Sequence, residues 1–118
     1  MADVEERVKL TRLMDFYAPL LTEHRREVMR LYCEEDLSLA EIAEQLGITR
    51  QVVSDALKKA RVQLEDYENK LGLAARYRAL GAQARSCLEA LSQVQVSGAD
   101  AQKLRAAREA LENIINER

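Results

Sequence analysis

Residues 36–59, "DLSLAEIAEQLGITRQVVSDALKK", contain the local signals that decide the fold. Ser38 and Glu41 form a capping box, in which a hydroxyl and a carboxylate each satisfy a free backbone N–H group at a helix start. Gly47 supplies the left-handed conformation that a tight helix-ending turn requires, and Thr49 is a suitable cap for the helix that follows. The stretch therefore predicts two short-linked helices, a helix-turn-helix.

A small apolar core is expected between these two helices. Ala43 lies where the helices would cross, and a larger side chain there would push them apart. The remaining members of the predicted core are Ile42, Leu46, Ile48 and Val53. The spacing is a strong indication of structure and a weaker one of function, because one fold hosts many activities.

The whole chain has the composition of a helical protein. Of its 118 residues, 47% are hydrophobic, 32% are charged and only 4% are aromatic. One Pro and four Gly leave few breaks between long helical runs. No apolar run approaches the ~20 residues that span a bilayer. The charged start "MADVEERVKL" lacks the apolar centre of a signal peptide, so we expect a cytoplasmic protein.

Helix boundaries divide the chain into two predicted domains. A first helix over residues 3–18 should end or kink before Pro19, and Thr22 should cap a second helix. After the helix-turn-helix, no breaker interrupts the fourth helix before Gly72. We expect a helix-turn-helix domain at 1–71 and an antiparallel helical hairpin at 72–118, turning at "VSGAD".

Apolar residues recur every three or four positions along the second half of the chain. In the fourth helix they are Val53, Leu57, Ala60, Leu64, Tyr67 and Leu71. In the hairpin they are Leu73, Tyr77, Leu80, Ala84, Cys87, Leu91 and Val94, then Leu104, Ala107, Leu111 and Ile114. Such stripes need a partner surface. Two arrangements are open: packing against the fourth helix of the same chain, or a homodimer through the same stripes.

The second helix of the motif carries the candidate nucleic-acid-binding residues. At about 100° per residue, Arg50, Ser54, Lys58 and Arg61 fall on one arc beside the buried seam, and Gln51 lies next to this arc. Arg and Gln pair bidentately with base edges, whereas Lys suits phosphates. The predicted contacts are Thr49, Arg50, Gln51, Ser54, Lys58, Lys59 and Arg61.

The charge balance favours the plainer interpretation that these residues form a solvated helix face. Residues 22–70 contain eight Lys or Arg against eleven Asp or Glu, and the net charge of the chain is −2. Dedicated DNA-binding domains usually have a basic excess. Residues 71–118, with seven basic and five acidic residues, are mildly basic.

Nothing in the sequence indicates catalysis, a metal site or a cofactor. There is no nucleophile beside a partnered histidine, no glycine-rich phosphate loop and no metal-spaced cluster. Cys33 and Cys87 are isolated and are expected to be reduced, partly buried residues on helices, and His24 is expected at the surface.

A longer string, residues 15–71, resembles the YlxM family of small bacterial helix-turn-helix proteins. The specific features are "DFY" and "LLT" before the motif and "YE-x-KL" after it, at 67–71. Region-4 modules of sigma factors are similar in a looser way. The sequence departs from the family pattern at Ser54, where an aromatic residue is common. The change removes one stacking contact with nucleic acid.

The resemblance implies an all-α, sigma-region-4-like fold of the winged-helix-like DNA-binding superfamily, without a wing. It also implies a regulatory protein of the signal recognition particle pathway, with the particle's RNA or its GTPase as partner. The alternative is a transcription regulator that reads DNA with the fourth helix, as a dimer. A third hypothesis keeps the motif only as the core of a protein-interaction scaffold.

Overall fold

The computed structural model describes residues 4–116, and this part of the chain contains only helices and their connections. The predicted all-α fold is confirmed. Residue 3 of the predicted first helix lies outside the described range, as do the outermost residues of both predicted domains. The helices are α1 Val4–Tyr17, α2 Glu23–Cys33, α3 Leu39–Leu46, α4 Arg50–Leu71, α5 Leu73–Leu91 and α6 Ala99–Asn116, with a 3₁₀ turn at Ala18–Leu20.

The predicted helix caps are confirmed. The Glu41 backbone N–H donates to Ser38 Oγ (3.1 Å), while the Ser38 N–H donates to Glu41 Oε1 (3.0 Å). Thr22 and Thr49 each accept a hydrogen bond from the backbone N–H three residues later. Gly47 has a φ of +69°, in the left-handed region. These local bonds fix where α2, α3 and α4 begin and where α3 ends.

The chain divides into two compact units between Ala74 and Ala75. In the N-terminal unit, α1 to α4 surround one apolar core. Ile42 and Val53 of the predicted motif core are fully buried and Ala43 is nearly so, while Leu46 and Ile48 pack against its edge. The helix-turn-helix is therefore formed by α3 and α4. The assignment of separate roles to residues 1–71 and 72–118 stays a prediction.

The apolar seam of α4 is shorter than the sequence pattern suggests. Val53, Leu57, Ala60 and Leu64 are buried, as predicted. Leu71, the last predicted member, is 55% exposed. Leu71 is the last residue of α4, and the seam is buried only over the part of α4 that packs against α1, α2 and α3.

A buried tyrosine ties α1 to the junction of α4 and α5. The Tyr17 hydroxyl donates to Glu68 Oε1 (2.6 Å) and accepts from the Leu73 backbone N–H (3.1 Å). The same Glu68 oxygen accepts from the Ala74 N–H (3.0 Å), so this carboxylate caps the first turn of α5. The rings of Tyr17 and Tyr67 lie 5.8 Å apart. The acidic end of α4 thus has a structural function.

The C-terminal unit, from Ala75 onward, is a pair of helices joined by residues 92–98. The predicted turn contains Gly98, with a φ of +68°. The least exposed positions of its helices are Tyr77, Gly81, Ala84, Leu88 and Leu91, then Ala101, Leu104, Arg108, Leu111 and Ile115.

The predicted stripe of the hairpin is not the line along which its two helices meet. Its alternate members are exposed: Leu73, Leu80, Cys87 and Val94 in the first run, and Ala107 and Ile114 on α6. Gly81 and Leu88, each one residue after an exposed member of the stripe, lie on the inner line instead.

Candidate nucleic-acid interface

The four residues of the predicted arc line one groove of about 670 Å³. The groove runs along the first three turns of α4 and is bounded by the start of α1, the end of α2 and the start of α3. We call it the α4 groove; it is lined by Val4, Arg7, Tyr32, Asp36, Ser38, Leu39, Ala40, Glu41, Arg50, Ser54, Leu57, Lys58 and Arg61. Cationic side chains along an apolar floor can hold phosphate groups at the rim and a flat apolar group between them.

Three predicted cations on α4 are exposed and have no partner within residues 4–116: Arg50, Lys58 and Lys59. Arg50 is the first residue of α4, and Lys58 lies two turns further along, about 12 Å away at 1.5 Å per residue. Lys59 borders a neighbouring concave surface together with Arg25. These side chains need not break an ion pair before they bind an anion.

The uncharged residues among the predicted contacts differ in their hydrogen bonds and in their exposure to solvent. Gln51 is exposed, but its Nε2 donates to Asp55 Oδ1 of the same helix (3.1 Å), which holds the amide along the helix surface. The Thr49 oxygen accepts the capping bond from the Val52 N–H (3.1 Å), and its hydroxyl hydrogen is still available to donate to a phosphate. Ser54 is half-buried in the groove wall.

Arg61 is the predicted contact that is already engaged. Its Nε lies 2.8 Å from Glu6 Oε1 of α1, so the two side chains form an ion pair. The Nε–H group is not aligned for a hydrogen bond with any acceptor of the described residues. The Arg61 side chain is 34% exposed. Sequence reasoning missed Glu6, although the pattern contained a signal: Glu6 precedes the buried Leu10 and Leu13 by four and seven residues, and so lies on the same face of α1.

Another arginine, Arg7 of α1, lies in the opposite wall of the groove. Arg7 forms an ion pair with Asp36, donates to the Tyr32 carbonyl (2.8 Å), and stacks its guanidinium 4.0 Å from the Tyr32 ring centroid. Asp36 has a φ of +55°, so the connection between α2 and α3 turns sharply at this point. Arg7 therefore has a structural role, and its charge is neutralised before any ligand arrives.

Capping also sets the charge at the start of α3. The backbone and side-chain hydrogen bonds from Ser38 lower the pKa of the Glu41 carboxyl, so that Glu41 is firmly negative at the groove mouth. This negative charge opposes an anionic ligand at that end. The ligand-binding potential of the groove is therefore greatest on its α4 side.

Two general properties of the described chain bear on function. Between Val4 and Asn116 there is no group of three His, Cys, Asp or Glu side chains that could hold a metal ion. In the same range, no helix combines the length and apolar character needed to cross a bilayer.

Burial raises the pKa of the Cys33 thiol, which makes it a weaker nucleophile at neutral pH.

Comparison with known proteins identifies the family. The profile of a family described as "Putative helix-turn-helix protein, YlxM / p13 like" matches residues 4–107. The chain belongs to the YlxM/p13-like family. It is similar to a UPF0122 protein of Clostridium novyi (strain NT), with 40% identity over 94 residues, covering 80% of this chain and 82% of that protein.

Other members of the family match a shorter part of the chain. A UPF0122 protein of Clostridium botulinum (strain Alaska E43 / Type E3) is 51% identical over 70 residues, which cover 59% of this chain and 64% of that protein. One of Desulforamulus reducens is 51% identical over 69 residues, covering 58% and 59%. The resemblance of the sequence to the YlxM family is thereby confirmed.

Proposed function

We propose that this YlxM-family protein is a non-enzymatic accessory factor of the signal recognition particle pathway that binds the particle's RNA through α4. The observation that carries the proposal is the set of three exposed, unpaired cations on the first three turns of α4, Arg50, Lys58 and Lys59. The pathway itself is proposed from the family resemblance. A role beside the particle implies a cytoplasmic protein.

The distribution of charge supports RNA over a long DNA duplex. Only a short basic edge is available, because Arg61 and Arg7 are paired with Glu6 and Asp36. The residues that follow along α4 are acidic, beginning with Glu65. Affinity for a duplex grows with the number of phosphates that the protein neutralises, so a short basic edge would bind a long duplex weakly. A folded RNA offers phosphates beside unstacked bases, which match a short cationic rim along an apolar floor. Thr49 and Ser54 would add neutral contacts.

The test compares two triple variants with the same change in charge. The first is Arg50→Gln/Lys58→Gln/Lys59→Gln. The matched control is Arg12→Gln/Lys103→Gln/Arg105→Gln, which removes three exposed cations that form no ion pair within residues 4–116. Binding to the particle's RNA is followed by fluorescence anisotropy over a range of salt concentrations. An RNA of equal length and unrelated fold serves as the reference ligand.

The α4 variant should lose affinity and show a salt slope smaller by about 2, since each phosphate contact with a single strand adds about 0.7 to the slope. The control should change little. Equal losses in the two variants, or equal affinity for both RNAs, would contradict the proposed site. A pull-down from lysate with and without ribonuclease then distinguishes RNA from the GTPase as the direct partner.

Sequence-specific DNA binding is the alternative, favoured by the confirmed helix-turn-helix and by Arg50 and Gln51 at the exposed start of α4. In that case the first turns of α4 enter the major groove. Selection from a library of random duplexes should yield one recurring motif, which Gln51→Ala relaxes. Uniform enrichment across the library would eliminate this alternative.

A further inference from the structure

The C-terminal unit has almost no interior of its own. Its two helices meet along the ten least exposed positions, with the Tyr77 hydroxyl donating to the Ile115 carbonyl (3.2 Å) at one end and Arg108 donating to the Leu91 carbonyl (2.9 Å) at the other. Among the described residues of this unit, only Gly81 and Ala84 are buried. Neither contributes a large apolar side chain, so the hairpin lacks a core that could stabilise it alone.

One broad face of the hairpin is apolar and exposed. In each helix, the residue before an inward position is rotated about the helix axis by about 100° from that position. Because the two helices are antiparallel, these preceding residues lie on the same side of the hairpin in both helices. The central part of this side is uncharged; apart from the exposed Gln83 it consists of Leu80, Cys87, Ala90, Ala107, Ala110 and Ile114, which we call the apolar face. Leu80 is 47% exposed and Ile114 is 44% exposed.

The opposite face of the hairpin is polar. The residue after each inward position is turned to the other side, and most of these residues are charged: Arg78, Arg85, Glu89, Arg105, Glu109 and Glu112. On the side of the apolar face, the charged residues Arg76, Asp100 and Lys103 lie only towards the ends. A two-helix layer with one charged and one apolar side is the usual half of a four-helix bundle.

We propose that a second copy of this chain covers the apolar face, so that two hairpins form a four-helix bundle. The face is uncharged at its centre, which suits a partner surface that is uncharged over the same length, and a second copy provides one. Leu80 and Cys87, and Ala107 and Ile114, are seven residues apart, the repeat that packs side chains between parallel or antiparallel helices.

The available area suits a stable dimer. Helices about 27 Å long at 1.5 Å per residue, lying ~10 Å apart, give this whole side of the hairpin, the apolar face at its centre and the charged residues at its ends, an outline of roughly 500 Å². Projecting side chains raise its accessible area towards the ~800 Å² per partner of a standard interface. The three alanines on the face allow the helices of the two copies to approach closely.

The test measures the mass of the full chain by sedimentation velocity and light scattering across a roughly hundredfold range of concentration, since mass action governs a dimer. The wild type should have twice the monomer mass at the upper end. Leu80→Glu and Ile114→Glu should each weaken dimerisation by at least about tenfold, because a carboxylate would be buried among apolar groups. The matched control Ala82→Glu places the same charge on the polar side and should leave dimerisation unchanged.

Cys87 provides a second measurement in the full chain carrying Cys33→Ser. Alkylation of the Cys87 thiol, which is exposed in the single chain, should slow as the protein concentration rises, and Leu80→Glu should restore the fast rate. A wild type that is monomeric throughout would overturn the proposal. So would a dimer whose mass is unchanged by Leu80→Glu, or one in which Cys87 reacts at a constant rate, since these results assign the contact to another surface.

Discussion

Replacing Tyr17 by Phe tests whether the contact between α1 and the α4–α5 junction stabilises the fold. The Tyr17 side chain is fully buried, and its hydroxyl hydrogen-bonds to Glu68 and to the Leu73 N–H. Hydrogen bonds to charged groups contribute about 1.5–3 kcal/mol. Glu68 keeps its bond from the Ala74 N–H, and the packing of the ring at position 17 is unchanged. We therefore expect a loss of about 2 kcal/mol, within the same range.

The assay is urea unfolding followed by circular dichroism, together with thermal denaturation. A loss of about 2 kcal/mol should lower Tm by roughly 10 °C in a domain of this size. Tyr67→Phe is the matched control. Its hydroxyl is nearer to solvent, donates to the Leu20 carbonyl at 3.3 Å and accepts from Gln63 Nε2 at 2.9 Å; neither partner is charged and water can replace both bonds, so we expect a loss of only about 0.5 kcal/mol.

A double-mutant cycle with Glu68→Gln isolates the hydrogen bond itself. The two changes should be coupled by about 1 kcal/mol, because they remove the two partners of one interaction. If Tyr17→Phe is no more destabilising than Tyr67→Phe, or if the two effects in the cycle simply add, the Tyr17 hydroxyl does not stabilise the junction.

Three further outcomes are expected. Glu6→Gln should raise RNA affinity about threefold at low salt by releasing Arg61, since an exposed pair is worth about 0.2–1 kcal/mol; Glu5→Gln is the control in the same binding assay, and an equal gain in both would contradict the ion-pair explanation. Gly47→Ala should destabilise the protein by about 1 kcal/mol in urea unfolding, because its φ is +69°, and an unchanged midpoint would contradict this. Burial and the Glu68 bond raise the pKa of Tyr17, so stability present below the unfolded pKa of about 10 should be lost as pH rises above it. Tyr17→Phe should lack this alkaline loss of unfolding free energy, and an identical loss in the variant would assign it to other groups.

Local chemistry explains what the sequence predicted well. The caps at Thr22, Ser38 and Thr49 and the left-handed Gly47 depend on bonds within a few residues, so a short string contains all the information they need. The Gln51–Asp55 bond is also local, at i,i+4, and its spacing was visible in the sequence.

Contacts between distant segments were harder to predict. The Glu6–Arg61 pair joins residues 55 positions apart, and only the packing of α1 on α4 brings them together. In the hairpin, the apolar stripe did not show which of its members lie between the two helices. Gly81 and Ala84 are the buried positions of the described hairpin, whereas Leu80 is exposed, and which neighbours a helix acquires cannot be read from its own spacing.

The pairing of Glu6 with Arg61 affects how salt acts on this surface. A cation on a bare helix releases a mobile ion from the nucleic acid when it binds, which makes affinity depend on ionic strength. Arg61 instead carries a counterion that is built into the chain. If a phosphate displaces the Glu6 carboxylate from Arg61, salt weakens both the Arg61–Glu6 pair that is lost and the Arg61–phosphate pair that is gained, and the two effects on affinity largely cancel. The contact made by Arg61 would therefore persist at ionic strengths that abolish those made by its unpaired neighbours.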